Sequence, residues 1–142
     1  MSPAVLRTPA RTPPQSLLAF DFGTRRIGVA TGNAFLKSAE ALRHIAADGD
    51  AQRFAAIEKL IKEWQPDALV IGVPFHPDGA EHEMTLAARR FGRQLKGRFR
   101  LPIYEVDERY TSVEAEAQGA RDVDSAAAAL ILEQFFREHS SS

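Results

Sequence analysis

The sequence predicts an α/β domain in which a mixed five-stranded sheet is flanked by helices. Three observations lead there. Two short apolar runs, separated only by Gly23-Thr24-Arg25-Arg26, read as a hairpin near the start. Strand-length runs then alternate with stretches of helical periodicity, the pattern of a sheet with helices on its faces. A chain of 142 residues with 44% hydrophobic and 26% charged side chains suits one globular domain and excludes a disordered or fibrous chain.

The first sixteen residues carry four of the eight prolines and no apolar run, so they read as a disordered tail too polar for a secretory signal. The domain is expected over residues 17–138, with 139–142 a disordered end. Leu17-Leu18-Ala19-Phe20-Asp21-Phe22 is the first strand, and Ile27-Gly28-Val29-Ala30 the second. Ala41–Ile45 is a third, followed by a polar turn over 47–50. From Ala51 to Trp64, Phe54, Ile57, Leu60, Ile61 and Trp64 recur at helical spacing, with Asp50 placed to cap the start and Pro66 beyond the end. Ala68–Val73 is a continuous apolar run, as in a strand buried on both faces. After a loop at 75–79, a second helix is expected over 81–97, a strand over 101–106 and a last helix over 124–137, with Leu130, Ile131, Phe135 and Phe136 apolar.

There is no cysteine, which excludes disulfides, thiolate metal sites and a thiol nucleophile. No stretch approaches the ~18 apolar residues of a membrane span, and the expected location is the cytoplasm. The net charge of -1 hides a segregation of sign. Residues 89–100 hold six basic side chains and no acid, whereas 105–138 hold nine acids against three arginines. Such a chain can offer a basic face to a polyanion and an acidic pocket to a cation.

Three acids stand where acids are expensive or pointed. Asp21 lies inside the most apolar strand, between Phe20 and Phe22, and needs a cation, an arginine or several donors; it either caps the hairpin through Gly23 or Thr24 or serves a site. Glu108 follows the strand at 101–106 within Asp107-Glu108-Arg109, either a solvated strand end or part of the same site. Asp124 opens the last helix, where an aspartate is also a good N-cap. In open α/β sheets, functional groups gather beyond strand ends and at helix starts. Converging carboxylates repel unless a cation sits among them, and an oxygen-only set suits Mg²⁺ or Mn²⁺ rather than zinc.

Four segments carry a resemblance: Asp21-Phe22-Gly23-Thr24-Arg25-Arg26-Ile27-Gly28-Val29-Ala30, Val70-Ile71-Gly72-Val73-Pro74 with Gly79, Val106-Asp107-Glu108-Arg109-Tyr110-Thr111-Ser112, and Val123-Asp124-Ser125-Ala126-Ala127. In order and spacing they resemble the YqgF family, also called RuvX, bacterial ribonuclease H-like proteins regarded as pre-16S rRNA nucleases and formerly as Holliday-junction resolvases. The resemblance covers nearly everything from Leu17 to Phe136. It implies a ribonuclease H-like fold, a catalytic carboxylate set on Asp21, Glu108 and Asp124 holding one or two divalent ions, and nucleic acid as partner. Arg109 and Thr111 also match, for phosphate contact, orientation of Glu108 or packing. One departure is the short Gln118-Gly119-Ala120-Arg121-Asp122 before Val123, where relatives carry a longer basic segment; Asp122 is thereby a second candidate near the metal.

Arg25 and Arg26, in the turn beside Asp21, are placed to meet a phosphate. Arg89, Arg93, Lys96 and Arg100 recur every three or four residues and can line one helix face, either as nucleic-acid footprint or as solvated surface. His76 and His82 flank Gly79 and can assist proton transfer or stand idle in solvent. Asp21-Phe22-Gly23 matches the kinase magnesium tripeptide by chance, since the Gly-rich loop and strand lysine are absent. It also resembles the first phosphate motif of actin-like ATPases, which need two such domains. The function that the resemblance implies is metal-dependent cleavage of structured RNA, in 5′-end processing of precursor 16S rRNA. Cleavage of branched DNA and a non-catalytic nucleic-acid-binding assembly factor are the alternatives, and the protein is a monomer or a homodimer.

Overall fold

The computed structural model describes residues 14–46, 49–110 and 123–139. In chain order the elements are β1 (Ser16–Phe22), β2 (Arg26–Asn33), β3 (Ser38–Ala46), α1 (Asp50–Trp64), β4 (Ala68–Val73), α2 (Glu83–Phe99), β5 (Ile103–Asp107), a single 3₁₀ turn (Glu108–Tyr110) and α3 (Val123–Glu138). One five-stranded sheet runs in the order β3-β2-β1-β4-β5. The first three strands are antiparallel neighbours, while β4 and β5 continue parallel to β1.

Alternation along the strands sorts the core into two layers. Leu18, Phe20, Ile27, Val29, Leu69 and Ile71 pack under α1 and α2, against Phe54, Ile57 and Phe91. Leu17, Ala19, Ala68, Val70 and Val106 pack under α3, against Ile131, Leu132 and Phe135. The central strand β4 is buried along its whole length, which is why its sequence is an unbroken apolar run. Since β1, β4 and β5 run parallel and each helix follows a strand, α1, α2 and α3 all begin at the edge of the sheet where those strands end. That edge holds the end of β1 and the start of α3, and so the predicted acids.

Boundaries differ from the sequence reading in ways with physical causes. β1 takes in Ser16, whose N–H donates to Asp67 Oδ2, and Asp67 thereby ties the chain entering β1 to the residue before β4. β3 extends from Ser38 to Ala46 because it pairs along the full length of β2. Asp50 is not the cap of α1: Gly49 holds that position, and Asp50 is the first helical residue, paired with Arg53. α1 ends through Gln65 in the left-handed conformation, immediately before Pro66. α2 starts at Glu83 because His82 is its cap, accepting from Met84 N–H at 3.0 Å, while Thr85 Oγ1 accepts from His82 N–H. No described helix is long and apolar enough to cross a membrane.

Candidate active site

Asp21 alternates in step with Leu17 and Ala19, so it points to the α3 face at the end of β1. Its neighbour across the hairpin is Gly28. A Cβ on Gly28 would overlap the carbonyl oxygen of Asp124, so only glycine lets the first turn of α3 settle on β2 beside Asp21. On the other flank, a Cβ on Gly72 of β4 would stand 2.6 Å from Glu108 Oε2 and 2.8 Å from its Cγ. Glycines inside strands commonly mark such close approach. Here two of them clear the floor on which the acids converge.

Asp21 and Glu108 meet in a side-chain hydrogen bond. Burial is the largest influence on Asp21 and raises it to about 6; the Glu108 hydrogen bond opposes this and the charge of Asp124 adds to it. Burial, then the charge and hydrogen bond of Asp21, and lastly the charge of Asp107, push Glu108 up to about 9. Both carboxyls are therefore pushed up by burial and by each other's charge, and the pair favours holding a proton. Two carboxyl groups share one proton because the site disfavours two negative charges.

Asp124 is close enough for its charge to act on Asp21, but its Oδ2 is taken by Arg26 Nε at 2.9 Å. Among the described residues no three acids or histidines are grouped tightly enough to hold a metal as they stand. The donor chemistry nevertheless fits a hard divalent cation: only carboxylate oxygens stand there, and those of Asp21 and Glu108 are largely buried. Asp21, Glu108 and Asp124 would hold such an ion once Asp124 leaves Arg26.

The other acids near Val106 are directed elsewhere by the same alternation. Glu105 receives Arg89 Nη2 at 3.2 Å, and Arg89 also pairs with Glu81 at 2.7 Å. Asp107 receives Arg109 Nη2 at 2.7 Å. Burial opposes ionisation of Asp107, but the hydrogen bonds and charge of Arg109 outweigh it and hold the carboxyl below its usual range. Both guanidinium groups lie against the Phe75 ring, 5.5 and 5.6 Å from its centre. Glu108 alone of this acidic cluster turns toward Asp21.

Of the predicted phosphate contacts, Arg26 stands at the site through Asp124 and Arg25 precedes it in the exposed hairpin turn. Arg89, Arg93 and Lys96 line a groove of about 250 Å³ with Glu105, floored by Ile71, Gly92 and Ile103, along the edge strand β5. Within it Arg89 is balanced by its two glutamates, whereas Arg93 and Lys96 are exposed. His82 is committed to capping α2, with the His76 ring 4.7 Å from its own. Thr111, Asp122 and the short segment before Val123 lie outside the described residues. Gly28 and Gly72 were not singled out as site residues in the sequence, although glycine inside an apolar strand is the signal that marks them.

The chain matches the RuvX family, described as Holliday junction resolvase, over residues 15–138. It is 63% identical over 123 residues to a protein of Albidiferax ferrireducens named "Putative pre-16S rRNA nuclease", covering 87% of this chain and 78% of that one. It is 60% identical to a protein of the same name from Polaromonas sp., covering 87% and 88%. Among solved structures, Thermus thermophilus RuvC in complex with a Holliday junction substrate matches with a TM-score of 0.55 at 15% identity, covering 87% of this chain and 94% of that one, a likeness of fold. The family match and the relatives agree, and the chain belongs to the RuvX family, nucleases built on a ribonuclease H-like fold.

Proposed function

We propose that this protein is a divalent-metal-dependent endonuclease acting on structured RNA, in 5′-end processing of precursor 16S rRNA in the cytoplasm. The observation that carries the reading is the buried Asp21–Glu108 carboxyl pair at the sheet edge, with Asp124 beside it at the start of α3. A Mg²⁺ or Mn²⁺ ion bound there would activate water and steady the leaving oxygen of a phosphodiester. The chain's own contribution is positional. Gly28 leaves room for the first turn of α3 and Gly72 for the Glu108 side chain beside Asp21, burial strengthens the hold of that pair on positive charge, and Arg26, released from Asp124, would be placed to take a substrate phosphate. Arg25, Arg109, Thr111 and the Arg89, Arg93 and Lys96 groove would hold the strand on either side. The names of the relatives support RNA as substrate.

The test is incubation of the purified protein with Mg²⁺ or Mn²⁺ and a labelled RNA spanning the 16S 5′ leader, beside Asp21→Asn. Metal-dependent cutting lost in the variant is expected; equal cutting by both would overturn the carboxylate assignment. Branched DNA is the second reading, favoured by the family description. A four-way junction cut faster than the RNA under matched conditions would replace the first reading with the second.

A further inference from the structure

We propose that the cleft between α1 and α2, beside Phe22 at the end of β1, is a second phosphate site that grips the nucleic-acid backbone away from the carboxylates. It rests on the reading of the protein as a nuclease. The cleft has a volume of about 280 Å³ and is lined by Phe22, Asp50, Arg53, Arg90, Phe91 and Gln94, among others.

Arg53 is its least expected wall. Its side chain is only 12% exposed and lies among the rings of Phe22, Phe54 and Phe91, 5.2 to 5.8 Å from their centres. Nη2 donates to Asp50, but Nε is buried with no acceptor among the described residues. A guanidinium carries five donors, and a buried donor left unmatched is costly enough that it usually marks a ligand or water position. Arg90 stands exposed on the rim, so two guanidinium groups face one carboxylate and the cleft is net positive. The first turn of α1, from which Arg53 projects, adds the positive end of a helix dipole. An oxyanion in the cleft answers the excess positive charge of Arg53 and Arg90.

Position makes that oxyanion a backbone phosphate. Asp21 and Phe22 are consecutive in β1, about 3.8 Å apart at Cα, and point to opposite faces of the sheet. The carboxylates and the cleft therefore back onto one another across the end of a single strand. A polyanion crossing the sheet edge over the turn at 23–25 reaches both.

The experiment measures RNA binding without divalent metal, so that nothing is cut, by anisotropy across a salt series for the full chain, Arg90→Gln, Gln94→Glu and Lys62→Gln. Lys62 lies in the last turn of α1, away from the cleft. Loss of one charge-assisted phosphate contact predicts roughly tenfold weaker binding for Arg90→Gln at low salt. It also predicts a salt slope shallower by about one. Gln94→Glu is expected to weaken binding likewise and Lys62→Gln to leave it unchanged, all with native melting temperatures. In a parallel arm, inorganic phosphate is titrated into ¹⁵N-labelled protein, and the Arg53 Nε–H resonance is expected to move. No movement, or equal losses from Arg90→Gln and Lys62→Gln, would overturn the proposal. A moving resonance with an unchanged RNA slope would also overturn it, by identifying a site for free anions only. Failure of metal-dependent cleavage with these binding results intact would instead remove the nuclease reading.

Discussion

The Glu108 side chain lies over Gly72, with Oε2 and Cγ 2.6 and 2.8 Å from where a Cβ would stand. The β4 backbone is therefore part of the site without contributing a functional group. Gly72→Ala is expected to push Glu108 off Asp21 and to crowd Ile131, with a stability loss of about 1–3 kcal/mol for an overpacked position. Metal-dependent cleavage should fall more than thermal melting predicts. Unchanged cleavage in a folded Gly72→Ala protein would show that Glu108 is not needed where it stands.

Gly28→Ala is the harsher change. The added methyl overlaps backbone, the Asp124 carbonyl, rather than a movable side chain. It should lift the first turn of α3 and destabilise by roughly 3 kcal/mol or more, the upper end of overpacking losses. Urea denaturation measures this directly, and a loss smaller than that of Gly72→Ala would contradict the close seat of α3 on β2.

The acid pair predicts an unusual pH dependence. Asp21 rises from 3.8 to about 6 and Glu108 from 4.5 to about 9 on folding, so between those limits the folded chain binds more protons than the unfolded one. Stability from this pair is therefore full below about pH 4 and is lost as pH climbs toward 9. Metal-free protein should melt lower at pH 8 than at pH 6, and Mn²⁺ should raise the melting temperature more at pH 8, where fewer protons compete. Asp21→Asn should flatten the profile and reduce cleavage by at least about 100-fold, the scale of losing one preorganised charge-stabilising group. A profile identical to that of the unaltered protein would contradict the shared proton.

Arg26 and Asp124 form a half-exposed ion pair, with the arginine side chain 60% and the aspartate 32% accessible. Such pairs contribute ~0–1 kcal/mol, so Arg26→Ala should barely change melting. It should instead free Asp124 and tighten Mn²⁺ binding several-fold by calorimetry while weakening RNA binding. Unaltered Mn²⁺ affinity would mean that the pair does not restrain the third carboxylate.

The groove beside β5 gives a separable prediction. Arg93→Ala with Lys96→Ala should weaken RNA binding uniformly across sequences and lower the salt slope by about two, one for each phosphate contact. Arg89→Ala should lower the slope by less, because the charge of Arg89 already serves Glu81 and Glu105. Equal slope changes from both variants would refute that division.

Much of this architecture was legible beforehand because its signals are local. Alternating residues in β1 and β2, the unbroken apolar run of β4 and the helical spacing of Phe54, Ile57 and Leu60 each depend on neighbours in sequence. Alternation even separates Glu105 and Asp107 from the face of Asp21. The cap of α1 was misplaced by one residue, since Gly49 has no side chain by which to declare itself. Of the residues expected on one helix face, Arg89, Arg93 and Lys96 line the groove beside β5, while other members of the basic run go elsewhere, Arg90 toward α1 and Arg98 onto Phe54 at 4.1 Å.

By itself, then, the sequence determined the order of strands and helices, a sheet covered by helices, and Asp21, Glu108 and Asp124 as the candidate acids. The tertiary structure alone decided which carboxylates share a proton, that Asp124 is held by Arg26, and that Arg53 is buried beside an open cleft. The physical reason is range. Periodicity acts over a few residues, whereas the Asp21–Glu108 pair joins positions 87 apart in the chain, brought within hydrogen-bonding reach by parallel pairing across β4 and by two glycines that leave room for them.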